Sequence, residues 1–185
     1  MLPRHAAPTH PTLRAWLQAP GSLTARLRAH GVVEVRVQRQ GSQALWPQEQ
    51  RELGCRSGHV REVVLLLNGI PVVWARSATS HRALKGPWKA LTGLGNRPLA
   101  ELLFQGRHVS RQPLLTHHFA QHGPVEQRWR HTWGRLSLSL GQTNTASPRW
   151  GRSSVFCRHG QPLRVMEAFA PWIARLDADP CAHPR

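Results

Sequence analysis

A chain of 185 residues with 40% hydrophobic content and eight tryptophans can bury one sizeable core, which excludes a disordered segment and predicts a single domain over residues 1–185. The longest aliphatic run, Val63 to Leu67, is too short to cross a bilayer, and the proline-broken amino terminus lacks the apolar centre of a secretory signal, so a cytoplasmic protein is expected. Lysine and arginine total 25 against nine acids, but they are spread along the chain without a basic tail, zinc-finger spacing or RNA-binding aromatic string, so no nucleic-acid partner is expected.

Residues 12–18 read as a short helix after Pro11, stopped by Pro20-Gly21. Ser22 suits the N-cap of a second helix, LTARLRAH, which Gly31 stops. Val33, Val35 and Val37 alternate with polar residues as a half-buried strand does, and residues 41–58 read as a loop with one helical turn after Pro47. HVREVVLLL and IPVVWARS flank Asn68-Gly69, a strong hairpin signal. Residues 83–104 read as helix, glycine-rich turn and a short helix opening at Pro98. A strand is expected near 107–116, residues 117–150 show no sustained period, and GRSSVFCR and QPLRVMEAF flank His159-Gly160 as a second hairpin. The fold class expected is α+β: an antiparallel sheet with helices on one side.

Both hairpins place charge where a ligand could meet it. A two-residue turn at Asn68-Gly69 pairs Leu67 with Ile70 and, six steps out, Arg61 with Arg76. Facing like charges destabilise a ladder unless an anion lies between them, the side chains splay into solvent, or the pairing slips. On the second hairpin the same count sets Arg152 opposite Glu167, whose sequence neighbours are almost all apolar. That carboxylate needs a partner, a proton or a ligand; a structural Arg152–Glu167 bridge is the plain alternative to a pocket. The helix starts at 22–30 and 98–104, with Leu23 and Leu99 in their first turns, could offer backbone amides to a carboxylate.

Other chemistry finds little support. Cys55, Cys157 and Cys181 form no CxxC pair, giving neither a disulfide framework nor a zinc site. His118 and His122 lie four apart, near His108, His117 and His131, yet no carboxylate-containing ligand set joins them, and no metal is expected. There is no G-x-S-x-G, and the aspartates, Asp177 and Asp179, fall in a polar tail; phosphate-loop and dinucleotide fingerprints are absent.

The blocks GSLTARL, REVVLLLNGIPVVWARS, LGNRPLAELLF and WGRSS with GQPLRVMEAFAP, taken in order over residues 13–104 and 150–171, closely resemble the chorismate pyruvate-lyase family. The resemblance implies conversion of chorismate to 4-hydroxybenzoate and pyruvate, the committed step toward ubiquinone, in a site buried beneath helix-turn-helix flaps. It implies that Arg61 and the backbone at Leu23 and Leu99 hold a carboxylate, that Glu167 engages the ring hydroxyl region, and that Arg76 is a further arginine of the site. Catalytic roles are thus expected for Glu167 and Arg61, no cofactor is implied, and a monomer is expected. Departures from the family pattern are Ala100 in place of a glycine, Ser153 in place of an arginine, and a divergent insertion at about 105–149 carrying a second WGR at Trp133-Gly134-Arg135. A non-catalytic ligand-binding domain of the same fold is the principal alternative, and a basic nucleic-acid-binding protein the lesser one.

Overall fold

The computed structural model describes residues 10–104, 108–140 and 148–177. The amino-terminal residues before 10, and Asp179 and Cys181, lie outside the described residues. In chain order the elements are α1 (Pro11–Gln18), α2 (Leu23–Arg28), β1 (Val33–Ala44), α3 (Pro47–Leu53), β2 (Ser57–Leu67), β3 (Ile70–Thr79), α4 (His81–Lys85), a 3₁₀ turn at Lys89–Gly93, α5 (Ala100–Phe104), β4 (Val109–Arg111), β5 (Leu115–His118), α6 (Pro124–Leu140), β6 (Trp150–Arg158), β7 (Gln161–Phe169) and a 3₁₀ turn at Pro171–Arg175. The strands form one antiparallel sheet ordered β1-β2-β3-β7-β6-β4, with β5 also pairing along β6.

The local signals act as their chemistry dictates. The Ser22 hydroxyl accepts from Ala25 N at 3.1 Å and caps α2. In α3 the Glu49 carboxylate reaches back to Trp46 N at 2.8 Å, satisfying one of the helix's orphan donors. Asn68 and Gly69 (φ 49° and 78°) and His159 and Gly160 (φ 47° and 71°) take the left-handed conformations that a two-residue hairpin turn requires.

The α+β class and the large antiparallel sheet agree with the sequence reading; the helices do not gather on one side. On the first face Trp16 and Leu17 of α1 and Leu23 and Leu27 of α2 pack on Val35, Val63, Leu65, Val73 and Phe169. Farther along that face, Leu91, Leu94 and Leu103 cover Phe156, Leu163 and Val165. On the second face Val125, Trp129, Trp133 and Leu136 of α6 cover Val64, Leu66, Trp74, Met166 and Ala168. The tryptophan rings of residues 129 and 133 stack with centroids 3.5 Å apart. With both faces covered, β2 is buried almost throughout rather than on alternate residues. The covering helix, α6, comes from the stretch in which no period was read. Within the expected loop at 41–58 the helix after Pro47 forms, as the two-turn α3, but the flanking residues are the end of β1 and the start of β2.

The first hairpin also departs from its predicted register. The turn is as expected and Leu67 pairs with Ile70, but a bulge at Val72 moves the ladder by one residue, since Leu66 pairs with Pro71 and Leu65 with Val73. Val72 and Val73, adjacent in sequence, both enter the first core cluster. Beyond the bulge Arg61 pairs with Ser77 and Glu62 with Arg76. The second hairpin keeps its register from Arg158–Gln161 out to Arg152–Glu167.

Candidate functional site

Between the two first-face core clusters the sheet carries two rows of side chains. Val63, Ala75, Glu167 and Arg152 align across β2, β3, β7 and β6, and Arg61, Ser77, Val165 and Ser154 form the next row. All eight line one cavity, roofed by Leu23 and Thr24 of α2, by Pro98, Leu99, Ala100, Leu103 and Phe104, and by Leu114. It encloses about 700 Å³ of unoccupied space, counting its open mouth. Apolar walls with a few convergent polar groups are what small-molecule sites require.

Arg61 is 2% exposed. Its Nη2 donates to Gly95 O at 2.8 Å and Arg97 O at 3.2 Å, tying β2 to the glycine-rich turn that leads into α5. Its Nε is buried without a partner. Among the described residues no carboxylate lies within ion-pairing distance of it. Burial pulls its pKa below the ordinary arginine value, so the charge is desolvated and not neutralised by the protein.

Arg152 is 1% exposed and differently employed. Its Nε donates to Glu167 Oε2 at 2.5 Å, and its Nη1 donates to the carbonyls of Trp16 at 2.9 Å and Ala19 at 2.8 Å. The bridge anticipated as the plain alternative therefore forms, but it does not remove Glu167 from the cavity, where that side chain keeps 18% of its exposure.

Arg76 is the correction. The bulge turns it to the second face of the sheet, away from the cavity. There its Nε and Nη2 bind both oxygens of Glu49, at 2.7 and 2.9 Å, and its Nη1 binds Glu62 at 2.6 Å. Glu62 is shared with Arg128 of α6 at 2.8 Å, and the Arg76 guanidinium lies 4.1 Å from the Trp46 ring centroid. Burial disfavours its charge, but hydrogen bonds and attraction from both glutamates outweigh that and raise its pKa. This arginine joins α3, β2, β3 and α6; Ser77 occupies the place beside Arg61 that the sequence arithmetic had given it.

The cavity also holds a residue that the sequence reading missed. Arg111, the last residue of β4, reaches in from the sheet edge, with its guanidinium carbon 5.0 Å from the Phe156 ring centroid and Nε 3.3 Å from Ser154 Oγ. A three-residue strand has no readable period, and only its pairing with Phe156 brings it here. Burial is the main cause of its lowered pKa; Arg152 lowers it further, and Glu167 raises it.

Among the described residues no three His, Cys, Asp or Glu side chains cluster as metal ligands, and no helix is long and apolar enough to cross a membrane. His117 instead contacts Ser153 Oγ at 2.6 Å, and His118 lies against Trp150, with ring centroids 4.7 Å apart.

Fold and cavity together define an α+β domain built around an arginine-rich pocket with, among the described residues, a single carboxylate. The chain belongs to the chorismate lyase family, whose sequence profile matches residues 5–175. It is 43% identical over 173 residues to a probable chorismate pyruvate-lyase of Azoarcus sp. (strain BH72), covering 91% of this chain and 88% of that one. A probable chorismate pyruvate-lyase of Albidiferax ferrireducens is 41% identical over 170 residues, 86% of this chain and 83% of that one. Among solved structures, the C-terminal domain of histidine utilization repressor from Pseudomonas syringae pv. tomato superimposes with a TM-score of 0.52 at 13% identity, over 79% of this chain and 96% of that one. PhnF from Mycobacterium smegmatis gives the same TM-score and identity over 82% of this chain and 64% of that one. These two share the fold.

Proposed function

We propose that this chain is a chorismate pyruvate-lyase, which cleaves chorismate to 4-hydroxybenzoate and pyruvate at the entry to ubiquinone synthesis. The observation that carries the reading is the buried Arg61, without an acidic partner among the described residues, facing the same cavity as Glu167. A carboxylate beside Arg61 converts an uncompensated buried charge into charge-assisted hydrogen bonds.

In this reading Arg61, with backbone amides near Leu23 and Leu99, receives the ring carboxylate, and Glu167 receives the ring hydroxyl at the opposite end. The two residues are two strands and two positions apart, about 10 Å across the sheet and about 7 Å along it at the backbone. Side chains extending over the cavity from these positions can address opposite ends of one six-membered ring.

The chemistry suits such a site. Breaking the ether carbon–oxygen bond and removing the ring proton from the hydroxyl-bearing carbon leaves an aromatic ring, and the enolpyruvyl fragment gains a proton at its methylene to become pyruvate. Atoms balance without oxidant or reductant, and the chain is proposed to act without cofactor or metal, as a cytoplasmic monomer. The side chains hold the substrate in its reactive conformer and stabilise charge developing on the departing oxygen. An arginine stays protonated and serves by charge; Glu167, fixed by Arg152, binds the hydroxyl or moves a proton.

Purified protein mixed with chorismate and a chelator is expected to release pyruvate, followed through lactate dehydrogenase and NADH, together with 4-hydroxybenzoate seen by chromatography. Chorismate binding without either product would identify a ligand-binding domain and overturn the enzymatic reading.

A further inference from the structure

Resting on that reading, we infer that Arg111 is the receptor for the second carboxylate of the substrate, the one on the enolpyruvyl side chain, and so tells substrate from aromatic product. Among the described residues the cavity is lined by three guanidiniums, Arg61, Arg111 and Arg152, and one carboxylate, Glu167, for a net of two positive charges. Chorismate brings two negative charges. Glu167 is bound to Arg152, whose Nη1 is also held by the carbonyls of Trp16 and Ala19, so that pair is neutral within itself. Arg61 meets the ring carboxylate. One guanidinium is then left, and one carboxylate.

Arg111 is free to take it. Among the described residues its hydrogen-bond partner is Ser154 Oγ alone, at the long distance of 3.3 Å from Nε, and no acid pairs with it. The guanidinium carbon lies over the Phe156 ring, and among the described residues its terminal amino groups have no hydrogen-bond partner, which leaves them available for a carboxylate fork. Position agrees with the substrate's shape. The enolpyruvyl group leaves the ring at the carbon next to the hydroxyl-bearing one, so its carboxylate belongs nearer Glu167 than the ring carboxylate does. Arg111 and Glu167 are close enough to interact electrostatically. The same positive charge lies where negative charge collects on the departing enolpyruvyl fragment.

Because 4-hydroxybenzoate lacks the second carboxylate, the assignment separates substrate from product. Arg111→Met is expected to lower kcat/KM for chorismate by about 10- to 150-fold, the range for losing hydrogen bonds to a charged group. The dissociation constant for 4-hydroxybenzoate, measured by calorimetry, is expected to stay within about twofold of wild type. Arg111→Lys, which keeps the charge but not the fork, should recover part of the loss, and circular dichroism checks folding of both. Arg61→Met, in contrast, should weaken substrate and product together. Wild-type protein that releases no pyruvate overturns this inference along with the parent reading. Active wild type whose Arg111→Met variant keeps its kcat/KM, or loses substrate and product equally, overturns the role of Arg111 alone.

Discussion

Arg152 and Glu167 face each other across the β6–β7 ladder, and the guanidinium that fixes the carboxylate also holds the carbonyls of Trp16 and Ala19 at the end of α1. One side chain thus positions a proposed catalytic acid and anchors the helix that closes the first core cluster. Removing it strands a carboxylate and two carbonyls, so Arg152→Met is expected to cost about 3–5 kcal/mol of stability by urea unfolding.

Glu167→Gln tests the carboxylate without disturbing its size. The amide oxygen can still accept from Arg152, so the variant should fold, while pyruvate release should fall by about 100-fold or more, the usual scale for losing a proton-handling group. Turnover near the wild-type rate would remove Glu167 from the mechanism.

Arg61 and Arg76 lie on opposite faces of one hairpin and should fail in opposite ways. Arg76→Met leaves Glu49 without its partner and Glu62 with Arg128 alone, and is expected to destabilise the fold by about 3–5 kcal/mol. Arg61→Met gives up two bonds to the turn carbonyls but also removes a desolvated charge that no carboxylate among the described residues compensates, so its stability should fall less than that of Arg76→Met while chorismate affinity drops. Urea midpoints and KM values measured side by side distinguish the two.

His59 gives the fold an acid sensitivity. Burial lowers its pKa below 6.5, with His81 and Arg61 lowering it further, and its Nε2 is buried without a partner. Between the folded and unfolded pKa values the unfolded chain binds the extra proton, so stability rises with pH there. This contribution is complete above 6.5 and is lost as the pH falls toward the folded-state value. His59→Gln should flatten the pH dependence of the urea midpoint between pH 7 and 5; an unchanged slope would place the sensitivity elsewhere.

The close packing around Gly151 explains why the WGR that opens β6 needs its glycine. A Cβ there would strike the Glu167 carbonyl oxygen and the Phe119 ring. Gly151→Ala is expected to strain the ladder that holds Arg152 opposite Glu167, lowering both thermal midpoint and activity; wild-type values for both would show that the strand gives way.

Where a short-range rule governed, the sequence was readable. Ser22 capped its helix, Asn68-Gly69 and His159-Gly160 made two-residue turns, and counting outward from the second turn placed Arg152 against Glu167. The same counting failed on the first hairpin, although both hairpins carry proline at the same offset, Pro71 and Pro162. The first alone gains a bulge, at which Val72 and Val73 both pack into the core with side chains of α1 and α2, a long-range contact that no local rule shows. In α6, Val125, Trp129, Trp133 and Leu136 do recur at helical spacing, but Gly134, Thr132 and several serines dilute the signal; packing against Trp74 and Met166 supplies what propensity lacks.

The sequence by itself determined the hairpin turns, the Ser22 cap, the α+β class and the family, since these rest on neighbours along the chain or on motifs held in order. Tertiary structure decided which arginines share the cavity. It turned Arg76 away by a one-residue slip, because successive strand residues point to opposite faces, and it brought Arg111 in from a three-residue edge strand through pairing with a partner 45 residues distant.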